Sequence, residues 1–102
     1  MLYEFDWTDF PEDNILQAGK SKKSVTICGN VGLTCGKSRY NIVVSHRHWT
    51  KKSRCFLLDV FKQEKDGSYD WLGNKTIKTA NDIRHFARWA EDLVIDLLKY
   101  PE

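Results

Sequence analysis

No stretch of this 102-residue chain approaches the roughly 20 consecutive apolar residues that a membrane-spanning helix needs. Its first residues also lack the charged-then-apolar layout of a secretory leader. A non-secreted protein of the cytoplasm or nucleus, making no membrane contact, is the expectation. Cysteine is scarce and odd in number: Cys28, Cys35 and Cys55 show no C-x-x-C spacing, so free, reduced thiols are expected. His46 and His48 are separated by one residue, outside the H-x₃₋₅-H spacing of zinc sites. No metal or cofactor is therefore expected. Paired carboxylates, a nucleophile with its base and a phosphate-cradling glycine loop are all lacking, which argues against an enzyme and assigns no catalytic residue.

Charge of one sign is missing from two long segments. Residues 1–14 carry Glu4, Asp6, Asp9, Glu12 and Asp13 and no lysine or arginine. Residues 20–54 carry Lys20, Lys22, Lys23, Lys37, Arg39, Arg47, Lys51, Lys52 and Arg54 and no acid. The net charge is only +2, so the asymmetry matters more than the sum. A basic span of that length suits a polyanionic partner or a solvated face balanced by acid elsewhere. At 41% hydrophobic and 29% charged residues the chain reads as one folded domain. Aromatic residues make up 13%, with four tryptophans, more than so small a core needs.

Residues 1–24 read as an accessory arm followed by the basic linker Gly19–Ser24, and residues 25–102 as a strand-rich domain ending in a helix. In the arm, Leu2, Phe5 and Phe10 suit a short strand or an extended segment, and Pro11 stops a helix continuing from there. Gly29-Asn30 between Val25–Cys28 and Val31–Cys35 has the composition of a two-residue hairpin loop. Leu33–Tyr40 closes one strand, turns at Gly36-Lys37 and opens a longer one. From Arg39 to Trp49 the pattern has a period of two. Tyr40, Ile42, Val44, His46 and His48 lie on one face; Arg39, Asn41, Val43, Ser45, Arg47 and Trp49 lie on the other.

A basic turn, Trp49–Ser53, leads to a strand at 54–64, in which Phe56, Leu58 and Val60 oppose Cys55, Leu57, Asp59, Phe61 and Gln63. Lys65-Asp66-Gly67 is a turn. A further strand at 69–78 is interrupted by a loop or bulge near Gly73. Thr79-Ala80-Asn81-Asp82 has a capping-box pattern. Beyond it Ile83, Phe86, Ala87, Ala90, Leu93, Val94, Leu97 and Leu98 recur at spacings of three and four, the apolar stripe of an amphipathic helix. The expected fold is α+β: a curved antiparallel sheet of four or more strands with one C-terminal helix across it. Trp89 and Tyr100 widen one flank of the stripe, which suits either a broad core-facing side or a second subunit.

The run Leu33-Thr34-Cys35-Gly36-Lys37-Ser38-Arg39-Tyr40, with Leu57-Leu58-Asp59-Val60 and Gly73-Asn74-Lys75-Thr76-Ile77 before a polar-capped helix, resembles the positive-cofactor-four family of single-stranded-DNA-binding transcriptional coactivators. The likeness covers residues 31–99. It implies a sheet whose open face binds a nucleic-acid strand, and a homodimer that pairs the helices. Phe86, Trp89, Leu93, Leu97 and Tyr100 are then the interface candidates. Two departures stand out. Thr76 replaces a glycine of the family pattern, and the hairpin from Arg47 to Arg54 looks longer than the family's turn.

Composition supports the same function independently. Sequence-tolerant single-strand binders combine cations along the backbone with aromatic faces for the bases. The expected contacts are Lys37, Arg39, Asn41, Ser45, Arg47, Trp49, Lys51, Lys52, Phe61, Trp71, Lys75 and Lys78. Single-stranded DNA is the expected ligand, with RNA open. The alternative is a small regulatory or inhibitory module that binds another protein, favoured by the acidic, aromatic run Tyr3–Phe10. That run also has the composition of an arm folding back over its own basic face.

Overall fold

A computed structural model describes residues 2–50, 53–78 and 82–99, apart from the side chains of Trp49, Thr50, Ser53 and Ile83. The elements are β1 (Tyr3–Asp6), α1 (Asp13–Gly19), β2 (Val25–Cys35), β3 (Ser38–Thr50), β4 (Ser53–Gln63), β5 (Tyr69–Ile77) and α2 (Ile83–Lys99). The strands form one open sheet in sequence order, each antiparallel to the next. Both helices pack on the same side, so the fold is a two-layer α+β arrangement with one sheet face uncovered.

Alternation of side chains decides which face is covered. Val31 and Leu33 of β2, Ile42 and Val44 of β3, Phe56, Leu58 and Val60 of β4 and Ile77 of β5 project toward the helices and are buried. From α1 come Ile15 and Ala18, and from α2 Phe86, Ala90 and Val94, all in the same core. Phe56 and Phe86 meet edge to face at 5.3 Å, joining sheet to helix at the centre.

The hairpin expected at Gly29-Asn30 does not form. Strand β2 runs straight through both residues, and its register against β3 slips between Ile27 and Gly29. Cys28 is the extra residue of a bulge, and Gly29 takes φ 154°, which side-chain-bearing residues rarely adopt. The bulge reverses the alternation, so Val25 and Ile27 turn to the uncovered face while Val31 and Leu33 stay in the core. Asn14 of α1 donates its amide N–H to the Cys28 carbonyl at 2.6 Å, satisfying an acceptor at the point where the register slips.

The N-terminal residues belong to the same sheet and core. Strand β1 pairs with β2 from Tyr3–Cys35 to Asp6–Gly32, as an edge strand rather than an arm lying over the sheet. Helix α1 forms within the segment expected to be an accessory arm. Pro11 precedes it instead of stopping it, and Asn14 N–H bonds back to the Pro11 carbonyl at 3.0 Å. The Trp7 indole N–H donates to Glu91 of α2 at 2.9 Å, which ties the first residues to the last helix.

The turns behave as their composition dictates. Gly36 has φ 62° and Lys37 no positive φ, as a type II′ turn joining Cys35 to Ser38 requires. Gly67 provides φ 88° in the β4–β5 turn. Between β3 and β4 the pairing runs on to Thr50 and Ser53, so the hairpin is not the long one expected. Helix α2 starts at Ile83, and Asp82 is its capping residue: its Oδ1 accepts from the Arg84 N–H at 3.0 Å. The expected cap residues Thr79, Ala80 and Asn81 lie outside the described residues.

Candidate nucleic-acid interface

The strand registers lay out the uncovered face in rows. One row reads Glu4, Thr34, Arg39, Gln63, Tyr69 from β1 to β5, and the next Asp6, Gly32, Asn41, Phe61, Trp71. Then come Asn30, Val43, Asp59, Asn74, followed by Ile27, Ser45, Leu57, Thr76, and finally Val25, Arg47, Cys55. The β4–β5 register slips between Val60 and Phe61, leaving Leu72 as an extra residue. That bulge brings Tyr69, Trp71, Asn74 and Thr76 onto one face. Without it, Trp71 and Asn74 would point to opposite sides.

Seven of the twelve expected contact residues are exposed or half-buried on or beside this face. Arg39, Asn41, Phe61, Trp71 and Arg47 lie on it, Lys37 stands in the turn at one end, and Lys78 is exposed just after β5. Trp71 is 57% exposed and Tyr69 53%, with half-buried Phe61 directly across from Trp71. The Trp71 indole N–H donates to Asp59 Oδ1 at 3.0 Å, which fixes the ring against the sheet. A concavity of about 510 Å³ opens over the first two rows, lined by Glu4, Asp6, Thr34, Arg39, Asn41, Gln63 and Tyr69, among others. A smaller one of about 220 Å³ adjoins it at Lys37, Arg39, Glu64 and Lys65.

Two expected contacts are misplaced by the alternation or by packing. Lys75 pairs with Leu58 and falls on the helix side, because the Leu72 bulge shifts it there. Ser45 lies on the right face but is fully buried; its Oγ accepts from Arg47 Nε at 3.1 Å, holding the guanidinium rather than reaching a ligand. Lys51, Lys52 and the Trp49 side chain lie outside the described residues. Along α2, Phe86 is a core residue at 1% exposure and is not free for an interface. Trp89 is exposed and tilted against His85 at 5.6 Å. Leu93 and Leu97 are half-buried against the core, and Tyr100 lies outside the described residues.

The sequence did not reveal the acids at the β1 edge. Glu4 and Asp6 face the same side as Arg39, and the Thr8 hydroxyl and backbone N–H hold the Asp6 carboxyl below the usual carboxylate range. Cations therefore lie along β3, with acid at the β1 edge and at mid-β4. Among the described residues the only ion pairs are those of Asp82 with Arg84 and His85, so Lys37, Arg39 and Arg47 have no acidic partner. Arg39 and Arg47 are eight residues apart, about 26 Å at the usual rise of a strand. The far end of the face is apolar, with Ile27 62% and Val25 42% exposed.

His46 and His48 lie on the helix side, not on this face. His46 is 2% exposed, edge-on to Phe56 at 4.9 Å, and Nδ1 of each imidazole is buried with no hydrogen-bond partner among the described residues. Burial, then Arg54 and His48, push the His46 pKa down. All three cysteines are free and buried, and burial raises the Cys28 thiol to about 11. No group of three or more metal-ligating side chains occurs among the described residues. No helix among them is long and apolar enough to cross a membrane. No protein-family model, curated protein or solved structure matches this chain.

Proposed function

We propose that the uncovered face binds a single-stranded nucleic acid, as the resemblance to the single-stranded-DNA-binding coactivators implies. The observation that carries the reading is the exposed Trp71–Tyr69 pair on β5, separated by the single strand β4 from the β3 cations Arg39 and Arg47, which have no acidic partner among the described residues. Bases need flat apolar surface, and stacking on an aromatic ring contributes about 1–3 kcal/mol per base. Phosphates need cations, and β3 offers Arg39 and Arg47 with Lys37 at its start. The strand then follows β3–β5 from the Gly36-Lys37 turn toward Arg47. Glu4 and Asp6 repel phosphate from the β1 edge and confine the path. A single strand fits better than a duplex, because stacked and paired bases have no free face to offer Trp71 and Tyr69.

A homodimer is part of the same proposal. Trp89, with Leu93 and Leu97 beside it, leaves an apolar flank along α2 that the chain's own core does not fully cover. Paired helices would leave both uncovered sheet faces free. The test of the main reading is anisotropy of a labelled single-stranded oligonucleotide across a salt series. Affinity that falls with salt, and falls further in Arg39→Gln and Arg47→Gln, supports it.

One observation favours the second reading, a protein-binding module. Exposed Val25 and Ile27 sit on the face that also carries Glu4 and Asp6, a mix of apolar and acidic surface that suits a polypeptide. Failure of any oligonucleotide to bind at about 50 mM salt would turn the assignment to that reading.

A further inference from the structure

Asp59 is out of place on a surface that attracts phosphate. It stands in the middle of the uncovered face, half-buried, with Val43 on one side and Asn74 on the other, neither of them a cation. Among the described residues it makes no ion pair. One oxygen accepts from the Trp71 indole N–H at 3.0 Å, and a carboxylate with two oxygens has acceptor capacity left over. A negative charge here weakens binding of a polyanion unless the ligand brings a donor to it. In a nucleic acid the donors are on the bases, not on the phosphates.

We propose that Asp59 and Trp71 together form a base-reading unit that prefers bases carrying an exocyclic amine. The proposal rests on the single-strand reading above and adds a base preference to it. A base stacked on the indole and offset toward its Nε1 edge lies beside the Asp59 carboxylate. Cytosine presents its N4 amine there as a donor. Uracil presents O4, an acceptor facing an acceptor, and leaves the carboxylate desolvated without compensation. The indole–carboxylate bond holds ring and acceptor in a fixed relation, so stacking and reading occur at one base.

The test compares oligomers of deoxycytidine and deoxyuridine, about 12 nucleotides long, against wild-type protein and Asp59→Asn at one salt concentration. The two oligomers differ in the group at position 4, so methyl contacts do not enter. Wild type is expected to bind the cytidine oligomer about fivefold tighter, the lower end of what one specific base contact supplies. In Asp59→Asn the side chain still accepts from the indole but now offers an N–H to O4. The preference is expected to vanish or reverse, with uridine binding unchanged or tighter. Equal wild-type affinities for the two oligomers, or an unchanged ratio in Asp59→Asn, overturn the proposal while leaving single-strand binding standing. Failure of both oligomers to bind wild type overturns single-strand binding and this proposal together.

Discussion

Gly29 lies against the ring of Phe10: a Cβ added there would stand 2.9 Å from Phe10 Cδ2. The bulge of β2 and the N-terminal segment are therefore fitted to each other at a point where only glycine is accommodated. Gly29→Ala meets both the steric limit and φ 154°, and is expected to lose at least about 2 kcal/mol in urea unfolding. Phe10→Ala, combined with it, should recover little of that loss because the backbone strain remains.

That bulge also marks the limit of what the sequence disclosed. Strands β3 and β4 and helix α2 were legible to within a residue or two, because period-two and period-3.6 patterns run through them without a break. The β2 bulge has the composition of a hairpin, since Gly29-Asn30 looks alike in both settings and only the partner strand decides. The same one-residue logic decides the side of Lys75: a bulge near Gly73 is legible, but only its exact position at Leu72 turns Lys75 to the helix side. Helix α1, seven residues long, shows only Ile15 and Ala18 as a stripe, too short for a period to emerge. Pairing of β1, which puts Glu4 and Asp6 on the uncovered face, depends on Cys35 and Gly32 some 30 residues away, and no local pattern encodes it.

Phe86 and Trp89, three residues apart on α2, separate packing from association. Phe86→Ala removes a buried ring that meets Phe56 and is expected to cost about 3–5 kcal/mol of stability. Trp89→Ala should change stability little but shift the sedimentation profile toward monomer. A Trp89→Ala protein with unaltered self-association would remove this flank of α2 from the proposed dimer.

Stability should fall in mild acid because of His46. Its folded pKa is pushed below the ordinary 6.5, so between the two values the unfolded chain holds the proton and the folded chain does not. The contribution of neutral His46 is complete above about pH 6.5 and is lost as pH falls through that value toward the lower, folded one. Urea midpoints measured from pH 8 to pH 5 are expected to decline, and His46→Leu should flatten that decline. An equal slope in the variant would place the acid sensitivity elsewhere.

Arg39 and Arg47 should act as phosphate contacts and not as base readers. Each neutralisation to glutamine is expected to weaken binding of all single strands by a similar factor. Each should also reduce the salt slope by about 0.7, the value for one single-strand phosphate. Arg47→Gln carries a second effect, since the Nε–Ser45 Oγ bond that orients the guanidinium is lost with it.

Tryptophan fluorescence tests the central claim most directly. Trp71 is exposed on the proposed working face, whereas the Trp7 indole is engaged with Glu91. Titration with a single-stranded oligonucleotide should quench the emission saturably. The matching duplex should quench it less, rising salt should weaken the effect, and Trp71→Phe should lose most of it. Unchanged emission from the wild-type protein with single strands at about 50 mM salt would contradict single-strand binding at this face.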